Sequence, residues 1–367
     1  MSHPEAAAPP GLRPGPAALD PAAPGLAEPG LAARLSSLLG AAPQGTAVVV
    51  AAVRAGERLL LCSGSTDRTG DRPVDAGTRF ELGSVSKTYT ALLLAEAAAR
   101  GEVRYDDPIA RYLPSGAAPA HRSGAPITLL HLATHTSGLP RLPPGLLASA
   151  VPVWSTVPYG RYGEQRLLRS LGGVRVGSRP GGRVHYSNLG VGLLGLLLAR
   201  AAGTDYSALL DERLCRPLGL ARTGCGPEPE QATGYWHGRP RPPWRIPALP
   251  GAGALRSSAG DLLRYLEALL HPDRAAGLRR ALAEVRRPLL VLPRTGDGLG
   301  LVWNHRPRPG GHTLLFHAGG TRGFSSFVGY CPDTGAGLAV LANTTPGSGS
   351  SFVQAAYSRF RALAEPG

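Results

Sequence analysis

Lysine is nearly missing from this chain: of its 39 basic residues one, Lys87, is lysine and every other is arginine. Arginine does not lose its proton in proteins, whereas a desolvated lysine can, so a position that keeps lysine is one where a removable proton matters. Cysteine is scarce as well. Cys62, Cys215, Cys225 and Cys331 show no CxxC spacing and no histidines at zinc-finger distances, and read as reduced thiols of a reducing compartment. No GxSxG occurs, which argues against the hydrolase folds built on that elbow. His131 and His135 stand four apart in HLATH, but without the glutamate of HExxH or an evident third ligand they read as packing and capping residues, and no metal is expected. The longest apolar run, 189–199, falls well short of the roughly 20 residues that span a bilayer and predicts a buried helix, so no membrane span is expected. The first residues carry neither a basic n-region nor a continuous apolar h-region, which sets the expectation of a cytoplasmic protein. Aromatics are few, at 6%. Trp244 alone accompanies the basic stretches 239–245 and 279–287, so the net charge of +14 reads as a solvated surface, with no nucleic-acid partner.

What the chain has in plenty is glycine (50) and proline (36), along with enough apolar residues, 43% of 367, for one large domain or two intertwined ones. Residues 1–30 are Pro/Ala/Gly-rich without periodicity and predict a disordered tail. A short helix over 31–39 follows, then a strand hairpin over 46–53 and 58–62 turning at Gly56. Residues 84–100 predict a helix closed by Gly101. From 105 to 250 the chain reads as short helices and loops, with starts at Thr128, Asn188 and Thr204 and no clear strand pairing. Ser258 predicts the cap of a helix over 259–270, with Asp261 three positions on. Strand-like runs return at 300–303, 313–317, 324–330 and 337–342, before a closing helix over 352–363. The reading is an α+β chain whose sheet is shared by 31–104 and 251–367, with a mainly helical domain, 105–250, inserted.

Three short motifs carry chemistry. Ser84 and Lys87 are spaced i, i+3 and so share a helix face; a serine hydroxyl needs a nearby base to become a nucleophile, and a deprotonated lysine can be one. Ser84 also begins the helix, where free N–H groups and the dipole favour an oxyanion. Alone, SxxK is a common four-residue coincidence. Tyr186 and Asn188, in YSN, offer a phenol for proton relay and a carboxamide for a substrate carbonyl, although a turn and helix cap would account for the same letters. His317, Gly319 and Gly320, in HAGG, end a strand-like run whose glycines allow close backbone approach. The Gly320 N–H would complete an oxyanion hole with the Ser84 N–H, and His317 would border it. Tyr235 and Trp236 read as core packing or as cleft lining.

Taken in order, FELGSVSKTYT, ITLLHLATHTSGLP, HYSN, GALRSSAGDLLRYLEALL and FHAGGTRGFSS resemble the serine β-lactamase and penicillin-binding-protein superfamily. The branch is that of class C β-lactamases, D-alanyl-D-alanine carboxypeptidases and family VIII esterases. The resemblance implies an antiparallel sheet flanked by helices, an inserted all-helical domain and a cleft between them. It also implies an acylated Ser84, proton transfer through Lys87 and Tyr186, substrate held by Asn188, His317 and Gly319, and no cofactor or metal. The third motif departs from the class C pattern: His-Ala-Gly stands where those enzymes have Lys-Thr-Gly, without the cation and hydroxyl that help bind a substrate carboxylate. The expectation is a serine acyl-enzyme hydrolase acting on an ester, amide or thioester, its partner a small-molecule or peptide acyl substrate. An acyltransferase or biosynthetic thioesterase, a β-lactamase or carboxypeptidase, and a non-catalytic binding protein are the other readings. Sequence sets no oligomeric state.

Overall fold

The computed structural model describes residues 18–19, 29–42, 46–119, 121–227, 229–345 and 351–366. In chain order its elements begin with β1 (Ala18–Leu19), α1 (Pro29–Leu35), β2 (Val48–Arg54), β3 (Glu57–Ser63), β4 (Phe80–Glu81) and α2 (Ser86–Ala99). The helical stretch holds α3 (Leu129–Ala133), α4 (Leu146–Ala150), α5 (Glu164–Leu171), α6 (Asn188–Ala201), α7 (Tyr206–Leu210) and α8 (Arg216–Leu218), followed by β5 (Gly234–Trp236) and β6 (Arg239–Arg241). The chain then runs through β7 (Arg256–Ser257), α9 (Ala259–Leu270), α10 (Arg279–Glu284), β8 (Leu290–Val291), β9 (Gly298–Leu299) and β10 (Asn304–Pro307). It finishes with β11 (Thr313–Gly320), β12 (Ser325–Cys331), β13 (Ala336–Ala342) and α11 (Ser351–Leu363).

The apolar runs from the two ends of the chain meet in one antiparallel sheet, ordered β1-β3-β2-β13-β12-β11-β10-β9-β8. The β2–β3 hairpin turns on two residues in the left-handed region, Ala55 (φ 49) and Gly56 (φ 89), the twist that suits a two-residue hairpin. Strand β2 is buried on both faces, and its period of two sorts the side chains: Val49, Ala51 and Val53 join the core with α2 and α9, while Val48, Val50 and Ala52 join the core with α1 and α11. The result is an α+β fold, an antiparallel sheet flanked by helices, as expected. Helix α6 is buried along nearly its whole length, and among the described residues no single helix is long and apolar enough to cross a membrane.

Several local expectations shift. Of the tail expected over 1–30, residues 1–17 and 20–28 lie outside the described residues; Ala18–Leu19 pairs with Cys62 and Leu61, and α1 already begins at Pro29. The strand expected at 300–303 is a turn between β9 and β10: Gly300 N–H donates to the Trp303 carbonyl (2.9 Å), and Val302 adopts φ 56. Helix α7 is capped by Asp205, which accepts from the Ser207 and Ala208 N–H groups, in place of Thr204. Helix α6 is capped by Ser187, and Asn188 is its first residue. Within 105–250, β5 and β6 form a hairpin where no pairing was expected. Ser258 does cap α9, accepting from the Asp261 N–H at 3.2 Å. The Asp261 carboxylate turns instead to the Arg222 N–H and the Thr223 hydroxyl. Ser258→Ala is therefore expected to cost about 1 kcal/mol, read as a lower urea midpoint at unchanged m-value.

Candidate active site

From 78 to 97 every residue is buried except Ser84. The nucleophile candidate sits in a single 3₁₀ turn, Gly83–Val85, that leads into α2. The helix itself is surrounded by protein, as its lack of a polar face requires. Its far end is finished by Gly101 (φ 75), with the N–H groups of Gly101 and Glu102 donating to Ala98 and Ala97. One turn below Ser84 lies Lys87, fully buried. Its Nζ is 3.1 Å from Ser84 Oγ and donates to the Ala252 carbonyl at 2.6 Å. Burial lowers the lysine's pKa; the Tyr186 hydroxyl opposes this and the Arg141 charge adds to it. A neutral amine in this place has one hydrogen for Ala252 and a lone pair for the Ser84 hydroxyl.

Tyr186 reaches the same oxygen from the other side, its hydroxyl donating to Ser84 Oγ at 2.8 Å. Lys87 Nζ lies 5.0 Å and the Arg141 guanidinium 5.2 Å from the Tyr186 ring centroid. His135 stacks against that ring at 4.6 Å. His135 holds the left-handed region (φ 56), accepts the Ser187 N–H at Nδ1, and is pushed down to about pKa 3 by burial first and the Lys87 charge second. It is thus a neutral wedge that fixes Tyr186, while His131 serves the capping box of α3 with Thr128. Asn188 extends its amide nitrogen toward the Tyr159 hydroxyl (3.4 Å), and its Oδ1 is buried with no partner among the described residues.

Strand β11 closes the other wall. A Cβ added to Gly319 would stand 2.2 Å from the Leu82 carbonyl and 2.8 Å from Ser84 N; one added to Gly83 (φ 49) would stand 2.7 Å from Gly320 N. Bare glycines at these two places let strand and nucleophile turn touch, bringing the backbones of Ser84 and Gly320 side by side as an oxyanion site requires. Gly319 therefore faces the nucleophile turn, where sequence had it facing substrate. His317 is buried, bonds Ala318 O through Nδ1 at 2.9 Å, and is pushed down to about pKa 3 by burial and then by the Lys87 charge, so it is neutral. The turn after Gly320 is tied back to the nucleophile strand: the Thr321 hydroxyl donates to Glu81 at 2.7 Å, and the other oxygen of Glu81 accepts from Arg256 and the Trp244 N–H. Tyr235 is core: it is 4% exposed and its hydroxyl accepts the Arg68 N–H. Trp236 is half-buried beside Arg322 and Arg241.

Sequence reasoning thus assembled Ser84, Lys87 and Tyr186, and the structure brings their polar atoms within bonding distance. It missed the Ala252 carbonyl, Arg141, Tyr159, the Glu81 tie and the role of His135. Glu81 and His135 lie within the segments FELGSVSKTYT and ITLLHLATHTSGLP, but their parts in the site, like those of the others, come from contacts far apart in sequence.

The chain is similar to several known proteins. The family described as Beta-lactamase matches residues 34–362. The D-alanyl-D-alanine-carboxypeptidase/endopeptidase AmpH of Escherichia coli (strain K12) is 31% identical over 321 residues, covering 84% of this chain and 81% of AmpH. Esterase EstB of Burkholderia gladioli is 32% identical over 293 residues, covering 74% and 73%. A class C β-lactamase of known structure superposes with a TM-score of 0.78 at 22% identity, covering 92% of this chain and 96% of that one. With the fold, the extent of the match and the identity to AmpH in accord, this chain belongs to the β-lactamase family of serine hydrolases.

Proposed function

We propose that the protein is a serine acyl-enzyme hydrolase whose substrate is an ester, amide or thioester, with Ser84 as the acylated residue. The observation that carries this is the double contact on Ser84 Oγ, by the Lys87 amine at 3.1 Å and the Tyr186 hydroxyl at 2.8 Å. In acylation, Ser84 Oγ attacks the carbonyl carbon and its proton passes to Lys87. The carbonyl electrons move onto oxygen, held by the N–H groups of Ser84 and Gly320. Collapse expels the leaving group, which takes a proton from the Lys87–Tyr186 pair. Deacylation repeats the steps with water in place of Ser84, returning the acid product and free serine. Asn188, whose Oδ1 has no partner among the described residues, orients the bound acyl group.

The wall offered by β11 favours an ester over a β-lactam or a peptidoglycan stem. His317 is held neutral and Ala318 lacks a hydroxyl, so the strand supplies neither the charge nor the donor that a carboxylate beside the scissile bond would need. An esterase, EstB, is among the relatives, which supports this reading. The test is a mass-spectrometric search for a fluorophosphonate adduct on Ser84, run beside a kinetic panel of p-nitrophenyl esters, acyl thioesters and nitrocefin. An adduct with ester turnover exceeding nitrocefin turnover is expected. Folded protein that forms no adduct at Ser84 would overturn the acyl-enzyme reading, and nitrocefin as the best substrate would overturn the ester preference.

A further inference from the structure

The strand beside Ser84 offers no cation, yet one stands immediately beyond it. Arg322 follows Gly320 by two residues, on the turn that joins β11 to β12. Its guanidinium carbon lies 5.6 Å from the ring centroid of Trp154 and 5.0 Å from that of Trp236. The two indoles come from distant parts of the chain. Trp154 belongs to the turn after α4, five residues before the Tyr159 that meets Asn188. Trp236 is on β5, whose Tyr235 N–H donates to Gly323 in the Arg322 turn at 3.1 Å. Arg322 thus links the turn after α4 to the β5 hairpin, two residues beyond Gly320.

Stacking on aromatic rings occupies the planar faces of a guanidinium and fixes its orientation, while its N–H donors lie in the plane and point away from the rings. Among the described residues Arg322 has neither a hydrogen bond nor an ion pair. Its half-buried charge is opposed by burial and by Arg241, which itself lies over Trp236 at 4.8 Å with its Nε buried and lacking a partner among the described residues. Two adjacent cations partly withdrawn from water, with no carboxylate paired to either among the described residues, are costly as they stand, and an arriving anion relieves that cost. Because the fork is already held in place, little ordering entropy is lost when it closes on a planar anion.

We propose that Arg322, clamped between Trp154 and Trp236, binds a carboxylate carried by the substrate at a distance from the reacting carbonyl, so that the enzyme prefers monoanionic acyl substrates. This rests on Ser84 being the acylated residue. The experiment uses two fluorophosphonates identical but for one end, a free carboxylate in one and its methyl ester in the other, with the rate of Ser84 adduct formation followed by intact mass. Wild type is expected to favour the carboxylate probe by roughly tenfold, less so at high salt. Arg322→Gln brings that ratio close to one, and Arg322→Lys, which keeps the charge and loses the planar fork, falls between. A wild-type ratio of one or below overturns the proposal, as does an undiminished ratio in either variant; Arg322→Lys keeps the test open should the glutamine variant not fold. If neither probe modifies wild-type Ser84, the nucleophile assignment falls first and this proposal with it.

Discussion

Lys87→Met should lower the rate of Ser84 acylation by about 10³–10⁴-fold while raising the thermal midpoint of the protein. The loss follows from geometry. In the proposed mechanism the lysine amine, 3.1 Å from Ser84 Oγ, is the base, and with it gone Tyr186 remains as a donor with no partner to receive the serine proton. Lys87→Arg should be as inactive, because a guanidinium keeps the charge and cannot take up a proton. The gain in stability follows from burial. The folded-state pKa of Lys87 lies below its ordinary value of 10.5, chiefly through desolvation. Between the lowered pKa and 10.5 the unfolded chain holds a proton that the folded one does not, so stability rises with pH across that window. The destabilisation is complete below the folded pKa and gone above 10.5, and Met, of similar length and without charge, removes it. The wild-type acylation rate should climb with pH through the same lowered pKa and then level off. Stopped-flow labelling across pH and thermal melts of both variants check this; an Lys87→Arg enzyme acylated at the wild-type rate would exclude the lysine as base.

Gly319→Ala should cost about 10²–10³-fold in acylation and about 1–3 kcal/mol in stability. A methyl there meets the Leu82 carbonyl at 2.2 Å, the Ser326 hydroxyl at 2.5 Å and Ser84 N at 2.8 Å. The first and last are backbone, and Ser326 is itself bonded to the Leu82 carbonyl at 2.7 Å, so no flexible side chain can yield. The strand must back away from the nucleophile turn, which parts the two N–H groups of the oxyanion site while leaving Lys87 and Tyr186 on Ser84. The signature is thus a fall in kcat with a retained pH limb, the reverse of what Lys87→Met does to the profile. Kinetics with a p-nitrophenyl ester together with urea melts separate the two; wild-type kcat in a folded Gly319→Ala protein would rule out the assignment.

Both effects act on residues already visible in the amino-acid sequence, and the reason is that each belongs to a local pattern. Ser84 and Lys87 are one helical turn apart, and the strands β2, β3, β11, β12 and β13 announce themselves by β-branched and apolar runs between turn residues. What could not be read is what the topology decides. The Ala252 carbonyl meets Lys87 across 165 positions, and Thr321 meets Glu81 across 240. The β5–β6 hairpin was obscured because Pro240 lies within it, although His237-Gly238, both with positive φ, repeats the turn of Ala55-Gly56. The strand expected at 300–303 failed for a related reason: Val302, a β-branched residue, is held in the left-handed region that its type disfavours, and only the surrounding contacts keep it there. His135 was weighed as a packing residue and is one, but what it packs against is the ring of Tyr186, a relation across 51 positions that no spacing rule contains.

That Ser84 alone breaks the burial of residues 78–97 has a practical consequence for altering this enzyme. The proposed reactive atom is a single window in an otherwise closed wall, so, Lys87 apart, substitutions along that stretch trade stability against nothing a substrate can touch. Diversity in what is accepted has to be written on the frame proposed around the window, at Trp154, Trp236 and Arg322, which come from turns and strand ends far from one another in the chain. A library confined to those positions should change selectivity while sparing the fold, and one aimed at α2 should mostly yield proteins that fail to fold.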